Sequence, residues 1–435
     1  MNTHGLSNRI RTTWESLSTS YWFIPLCMML FSALLCGACL FLLQRTTLPD
    51  WLLTFIPLVT QEGAQQVLGT LASSIITVTS IAFSMTIVAL TLASSQFGPR
   101  LIRTFMVDRG TQVVLGMLVS SFLFCLLALH YISAVQENQD AMSLLTALSV
   151  VLGVLNIGVI IYFIHHVAAS IQADQVIYRC FRELCGDIET LLPAPSENSS
   201  LKPVAPALLK DGPFRHTLTA DREGYVQTID YEALATLRND IVAGVEVIVR
   251  GGDHVFPRAP ILVVHSHTEV NTSLLRALSA SVIVGKNRTP IQDPEFALGQ
   301  LVEIALRALS PGINDPATAL TCLDRLTSAC ILMSERTFPA PSVINRDTNC
   351  WIKRRAFTME GVIDRAFDQI RQDGKSHVAI ALHILHCLYV LKQQLDPNYA
   401  ALLARHANAT YALAMTESVV EKDNAALDAA LSRLV

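Results

Sequence analysis

The apolar stretch from Gly69 to Arg100 constrains the fold most, because it is long enough to cross a lipid bilayer. A membrane-spanning helix needs about 20 residues. Unlike the other apolar stretches, this one carries hydroxyl side chains at steps of three, four or seven residues. On an α-helix that spacing places them along one face. We name this set the hydroxyl stripe; its members are Thr70, Ser73, Thr77, Ser80, Ser84, Thr91 and Ser95.

Two interpretations of the hydroxyl stripe stay open at the level of sequence. Small hydroxyl residues let membrane helices approach closely and form hydrogen bonds across an interface. The same residues, as rings contributed by several copies of the chain, would line a water-filled path without fixed charge. The second interpretation predicts a homo-oligomer, because one helix cannot surround water. Its candidate path-lining residues are Ser73, Thr77, Ser80, Ser84, Thr91 and Ser95.

The overall composition predicts a membrane protein with a large soluble part. Of the 435 residues 51% are hydrophobic, and the formal net charge is −4. A chain this apolar is unlike an ordinary soluble enzyme, and its charge does not indicate nucleic-acid binding. The ten cysteines lie in apolar runs or scattered through the remainder and do not form a disulfide set. Cys36 and Cys39 are two residues apart, but they lie within a predicted membrane helix, where we do not expect a metal site. We therefore predict no metal site and no cofactor.

Four apolar runs within residues 1–167 predict a domain of four transmembrane helices. The first covers Tyr21–Leu43, the second contains the hydroxyl stripe, and the others cover 112–132 and 142–166. The N-terminal flank and the 96–111 loop carry five arginines, whereas the opposite loops carry only Arg45. By the positive-inside rule, both termini face the cytoplasm. The apolar run at 51–59 is too short to span, and whether it enters the membrane stays open.

The remainder of the chain divides into four parts by its residue patterns. Residues 168–192 predict a helix that leaves the membrane, and 193–213 form a linker rich in proline and serine. Short β-branched runs in 214–268 predict a small all-β module that resembles the barrel-sandwich of biotinyl and lipoyl carriers. Carriers of that kind hold their cofactor on a lysine, and none lies between Asp211 and Gly285. We therefore expect a structural or docking role for this module, followed by an all-α domain at 269–435.

Three Asp-Pro pairs predict where helices begin in the C-terminal domain. Aspartate is a favoured N-cap, and proline is tolerated in the first helical position. The pairs Asp293-Pro294, Asp315-Pro316 and Asp396-Pro397 therefore predict helices near 294–310, 316–336 and 397–414.

The densest polar cluster of the chain lies in residues 284–320. Its candidate ligand-binding residues are Arg288, Asp293, Arg307, Ser310, Asn314 and Asp315. In a structural interpretation, Asp315 caps its own helix while Arg307 and Asp293 form an internal ion pair. In a functional interpretation, Arg288 and Arg307 contact an anionic group of a small ligand. Alternatively, Asp293, Asn314 and Asp315 supply oxygen ligands to a hard cation.

These stretches carry a family resemblance. The segments SSIITVTSIAFSMTIVALTLASSQFGPR, GYVQTID and IQDPEFALGQLVEIALRALSPGINDPATAL resemble the bacterial predicted membrane proteins grouped as domain of unknown function family 2254. The resemblance implies a protein of the bacterial inner membrane, with an N-terminal membrane domain and a cytoplasmic remainder. It implies no activity, because no function is assigned to that family.

The functional hypotheses follow from the stripe and the polar cluster. The sequence has no Walker loop, GxGxxG, HExxH or nucleophile elbow, so we do not predict an enzyme. The leading hypothesis is an oligomeric channel or transport protein with a hydroxyl-lined path. The alternative is a membrane-anchored sensor or scaffold that binds a small ligand or a partner through its cytoplasmic domain.

Overall fold

The structure is a computed structural model that describes residues 22–43, 58–98, 108–134, 139–192, 201–209, 212–236 and 241–434. The chain divides into two compact units, Met1–Gln175 and Val176–Val435. Each unit is described by itself below. Several predictions fall outside the described residues: most of the arginines that orient the chain, most of the 51–59 run and the first part of the linker.

The N-terminal unit contains the four predicted apolar helices. They are α1 Phe23–Leu43, α2 Gln61–Phe97, α3 Arg109–Ala134 and α4 Gln139–Ser170. By length and composition, each of them is long and apolar enough to cross a membrane. The prediction of four such helices is confirmed.

Helix α3 lies at the centre of this unit and packs against the other three helices. Its buried side chains include Leu115, Leu118 and Phe124. Helix α2 contributes a face rich in small residues, including Ala64, Ala72 and Ala82. Small side chains allow helices to approach closely in a membrane, where packing rather than the hydrophobic effect drives association.

Polar side chains tie α3 to its neighbours. Ser32 Oγ on α1 donates to the carbonyl of Ser120 at 2.7 Å. Gln61 Nε2 on α2 donates to the carbonyl of Ile132 at 3.2 Å. On α4, the fully buried Asn156 accepts a bond from Ser121 Oγ at 3.5 Å. Such bonds fix which faces of the helices meet, since lipid offers polar groups no alternative partner.

The C-terminal unit begins with α5 Ala173–Leu191, most of which belongs to it, and contains two β-sheets. A six-stranded sheet has the order β1-β8-β9-β4-β6-β2, and its pairs are antiparallel except β4–β9. A three-stranded sheet has the order β5-β3-β7. The strands are β1 Leu201–Pro203, β2 Phe214–Thr219, β3 Gly224–Ile229, β4 Val242–Val247, β5 His254–Val255, β6 Pro260–Ser266, β7 Val282–Gly285, β8 Ser342–Asn345 and β9 Trp351–Arg354.

The sheets extend beyond the predicted β module of 214–268. Strand β1 lies in the predicted linker, while β7, β8 and β9 lie in the segment predicted to be all-α. The all-α prediction for 269–435 therefore needs correction. These strands have three or four residues each, too few to show the alternation by which a strand is recognised in a sequence. The barrel-sandwich likeness stays a prediction.

Helices make up the rest of this unit. Two short ones, α6 Tyr231–Thr236 and α7 Thr272–Ser279, lie between strands. The others are α8 Pro294–Leu309, α9 Pro316–Ser334, α10 Met359–Asp373, α11 Val378–Gln394, α12 Ala400–Glu417 and α13 Glu421–Leu431.

The Asp-Pro pairs mark helix starts as predicted. Asp293 and Asp315 are the N-caps of α8 and α9. The third pair begins a short 3₁₀ turn, Pro397–Tyr399, which leads directly into α12.

Glycine at position 244 is required by the parallel pair β4–β9. Gly244 lies opposite Trp351, and a Cβ atom on it would overlap the indole ring. We therefore expect Gly244→Ala to lower the free energy of unfolding by about 1–3 kcal/mol, as overpacking does in other cores. Chemical denaturation of the purified full chain in detergent measures this.

The matched control is Gly312→Ala, because a Cβ at Gly312 would meet nothing within 4 Å. There we expect no loss of stability. A Gly244→Ala protein as stable as the parent chain would contradict the packing described here.

Candidate functional site

The hydroxyl stripe lies on the surface of the N-terminal unit. All seven of its side chains are exposed. At about 100° per residue, the seven positions fall within an arc of about 80° on the helix. The buried residues of α2 are Ala64, Leu68, Ala72, Ile75, Thr79, Ala82, Ala93 and Phe97. Their common direction lies about 160° from that of the stripe.

The stripe therefore faces away from the other described helices of its own unit. None of the described helices α1, α3 and α4 covers it. Among the described residues of this unit, nothing packs on the stripe or encloses a path with it. Both interpretations stay predictions, and each would need a second copy of the protein or another partner to cover the stripe.

Six of the seven stripe hydroxyls, all but that of Ser84, bond to carbonyls of their own helix. Thr77 Oγ1 donates to the carbonyl of Ser73 at 2.8 Å, and Ser80 Oγ donates to that of Ile76 at 2.9 Å. Thr70, Ser73, Thr91 and Ser95 make equivalent bonds one turn back. Each donor is thereby satisfied, while the oxygen can still accept a bond. The face is thus tolerable in lipid and wettable by water.

Two apolar residues interrupt the stripe towards its C-terminal end. Ile87 is 63% exposed and Val88 is 55% exposed. They lie between Ser84 and Thr91, on the same side of α2. In a ring of copies, they would form an apolar layer between two hydroxyl layers.

The structure separates the polar cluster of 284–320 into two groups. Arg288 and Asp293 lie at the start of α8, whereas Arg307, Ser310, Asn314 and Asp315 lie at or beyond its last turn. A helix of this length measures about 24 Å from end to end. The predicted residues therefore do not form one site, and a cation bound by Asp293 together with Asn314 and Asp315 is excluded.

Asp293 is a buried structural residue. Its carboxylate is 1% exposed, accepts a bond from Arg288 Nε at 2.5 Å and accepts another from the backbone N–H of Glu295 at 3.1 Å. Gly252 packs against it in a left-handed conformation, with φ of 87°, and a Cβ there would overlap the carboxylate. The predicted ion pair between Asp293 and Arg307 is wrong, since Arg307 lies 3.9 Å from Glu303 instead.

The turn between α8 and α9 is held by its own side chains. Ser310 Oγ donates to the carbonyl of Arg307 at 2.6 Å. Asn314 has a positive φ of 50°, which asparagine tolerates better than most residues. Asp315 accepts bonds from Thr318 N–H at 3.2 Å and from Thr318 Oγ1 at 2.6 Å. The prediction that Asp315 caps its own helix is confirmed.

One group of potential metal ligands joins α9 and α11. Ligand atoms of Asp324, His383 and Cys387 lie within 4.8 Å of one another. His383 Nε2 is 2.7 Å from Asp324 Oδ1. Asp324 is exposed, and burial raises the pKa of the Cys387 thiol to about 11. The hydrogen bond between Asp324 and His383 links α9 to α11.

An Asp–His pair that the sequence did not reveal lies where α3 begins. Asp108 accepts bonds from Thr111 N–H at 3.0 Å and Thr111 Oγ1 at 2.7 Å, and its Oδ2 lies 2.6 Å from His166 Nε2. Burial alone would raise the pKa of Asp108, but these hydrogen bonds hold it below its ordinary value. A side chain at Gly110 would overlap the His166 ring. The pair thus fixes α4 against the start of α3.

Comparisons with known proteins place the chain among uncharacterised membrane proteins. Residues 18–389 match a family described as "Predicted membrane protein (DUF2254)". An uncharacterized protein of Mycobacterium bovis and one of Mycobacterium tuberculosis are each 28% identical over 397 residues. The alignment covers 86% of this chain and 72% of each relative. No solved structure matches the chain.

Removal of the buried carboxylate tests the structural role of Asp293. We expect Asp293→Ala to lower the free energy of unfolding by about 3 kcal/mol, because it leaves Arg288 without its partner and removes the cap of α8. Asp396→Ala is the matched control, since Asp396 is an exposed Asp-Pro cap whose carboxylate accepts a bond from Asn398 N–H and has no ion-pair partner among the described residues.

The control should lose about 1 kcal/mol or less. Denaturation of the purified full-length proteins measures both effects. Equal losses in the two variants would show that the buried ion pair adds nothing beyond the cap.

Proposed function

The chain belongs to the family of predicted membrane proteins that contain domain of unknown function 2254, and we propose that it is an oligomeric channel or transport protein. In this proposal, several copies meet through α2 and enclose a path lined by the hydroxyl stripe. The host membrane is the bacterial inner membrane, and both termini face the cytoplasm. The protein catalyses no reaction and holds no cofactor.

The observation that carries the proposal is the direction of the stripe. The hydroxyl face of α2 points away from the buried face by about 160°. The hydroxyl groups recur along α2 on both sides of the apolar interruption, and lipid tails offer their oxygens no hydrogen-bond partner. Copies of the chain arranged around an axis would turn these faces towards each other and towards water.

The chemistry of the stripe suits passage rather than tight binding. Hydroxyl groups that already donate to their own helix offer lone pairs to a passing solute without a fixed charge. The exposed Ile87 and Val88 would form an apolar constriction, and such layers gate pores by dewetting. The path is therefore expected to favour water and small uncharged or weakly hydrated solutes.

A membrane-anchored sensor or scaffold is the second candidate. A cavity lined by three arginines in the C-terminal unit favours it. In this case the stripe would serve only to join copies, and no solute would cross. The two candidates differ in whether the reconstituted protein conducts.

Leucine in place of two stripe serines tests the path. We expect Ser80→Leu with Ser84→Leu to abolish most of the solute flux in proteoliposomes, because two isobutyl layers replace wettable rings. Stopped-flow light scattering with water and glycerol measures the flux. The matched control is Ser74→Leu, an exposed serine that lies outside the arc of the stripe.

The control should conduct like the parent protein. Unchanged flux in a folded Ser80→Leu/Ser84→Leu protein would contradict the path. Absence of flux in the parent protein would favour the second candidate.

The apolar interruption yields an independent prediction. We expect Ile87→Ser to raise the flux several-fold, because a serine layer stays wet where isoleucine excludes water. Ile157→Ser is the matched control, since Ile157 is exposed to a similar extent on α4. If the flux is unchanged in both variants, Ile87 does not form a constriction in the path.

A further inference from the structure

A cavity of about 230 Å³ lies in the C-terminal unit beside the start of α8, and its lining includes none of the residues that the sequence singled out as ligand-binding. Its walls come from the end of α5, the first residue of α6, the residues that follow β4 and the segment after β9. The side chains that matter for its chemistry are Tyr231, Arg250, Arg354, Arg355 and Phe357. Three arginines and two aromatic rings thus line one small cavity.

Two of these guanidinium groups stack on the aromatic rings that line the cavity. The Arg354 guanidinium lies 4.7 Å from the centre of the Tyr231 ring, and the Arg250 guanidinium lies 4.5 Å from that of Phe357. Arg354 Nε also donates to the carbonyl of Ala340 at 2.9 Å. The stacked, bonded Arg354 is pre-organised, so little side-chain entropy is lost when its remaining N–H groups bind an acceptor.

Carboxylates neutralise two of the three arginines. Arg250 pairs with Glu295 at 3.0 Å and approaches Asp253 at 3.8 Å. Arg355 pairs with Asp253 at 2.7 Å. Arg354 has no carboxylate partner among the described residues, and its terminal nitrogens donate no hydrogen bond within them.

The helix ends at the cavity do not cancel this charge. Pro294, the first residue of α8, lines one wall and brings the positive end of that helix. Leu191 and Leu192 close another wall and bring the negative end of α5. The electrostatic effects of these two helix ends on a bound anion have opposite signs. One positive charge, that of Arg354, is left over.

Burial makes this charge costly. It lowers the pKa of Arg354, which means that the surroundings disfavour the charged form. A charged group that is taken out of water is normally paired. Tyr231 is half-buried, also lines the cavity and adds a hydroxyl group. Among the described residues, neither this hydroxyl nor the terminal nitrogens of Arg354 have a hydrogen-bond partner, so both are free to bind a ligand.

We propose that this cavity binds a small oxyanion, a phosphate or carboxylate group, at the free edge of the Arg354 guanidinium, beside Tyr231. The planar guanidinium offers paired N–H donors that match the two oxygens of such a group. The Tyr231 hydroxyl donates a further bond. The cavity is smaller than the roughly 300 Å³ of typical drug-sized sites, so the ligand is compact.

The cavity lies next to the end of α5, the helix through which a bound ligand would influence the rest of the chain. Its wall includes the last residues of α5, and α5 follows α4 along the chain with only two residues between them. An anion in the cavity contacts the element that links the two units covalently. The site is independent of whether the membrane helices conduct, and its test does not involve flux.

Binding to the full-length protein in detergent tests the proposal. The probes are inorganic phosphate, pyrophosphate and malonate, each at constant ionic strength set with chloride. Equilibrium dialysis measures saturation, and thermal unfolding reports stabilisation. We expect saturable binding of at least one probe; phosphate or pyrophosphate alone would identify a phosphate ligand, and malonate alone a carboxylate.

Three variants locate the binding. Arg354→Gln should weaken binding by about tenfold or more, because it removes a charge-assisted hydrogen bond. Arg276→Gln is the matched control on an exposed arginine of α7 and should bind like the parent. Tyr231→Phe, which removes only the hydroxyl group, should bind several-fold more weakly and guards against misfolding of the arginine variant.

Two results would overturn the proposal. One is the absence of saturable binding of all three probes to the parent protein. The other is equal binding by the parent, folded Arg354→Gln and Arg276→Gln proteins, which would place the anion elsewhere. Neither result bears on the flux measurement.

Discussion

The arrangement of the N-terminal unit depends on the two faces of α2. One face packs small residues such as Ala72 and Ala82 against the bundle, and its opposite carries the hydroxyl stripe outward. In a membrane, close packing of small residues is the main attraction between helices, so the alanine face decides which way the helix turns. The outward direction of the hydroxyl groups is the consequence. In a monomer, the hydroxyl stripe therefore contacts none of the other described helices of its unit.

The C-terminal unit uses its charges in two different ways. At the start of α8, the buried Asp293 and Arg288 satisfy each other and hold Gly252 in place. Nearby, three arginines surround a cavity with too few carboxylates to balance them. In the first arrangement, Arg288 and Asp293, which the sequence predicted to bind a ligand, stabilise the fold by binding each other. The cavity is lined by residues that are far apart in the sequence, so no sequence motif predicted it.

Much of the fold was predictable because it is encoded locally. Apolar length predicted four helices long enough to cross a membrane, and the Asp-Pro pairs predicted the starts of α8 and α9. Strands β8 and β9 were not predictable, since they acquire their identity only from pairing, β9 with the distant β4. The partner of Asp293 was predicted wrongly for a related reason. Charge alone could not distinguish Arg288 from Arg307, whereas the length of α8 separates them in space.

A channel of the proposed kind requires that copies of this chain meet through α2 around a shared path. Mass photometry of the purified protein in lipid nanodiscs tests this requirement, because it counts chains without assuming a transported solute. We expect a complex of three or more copies. A monomer or a dimer would contradict it, since one or two stripe-bearing helices cannot enclose water.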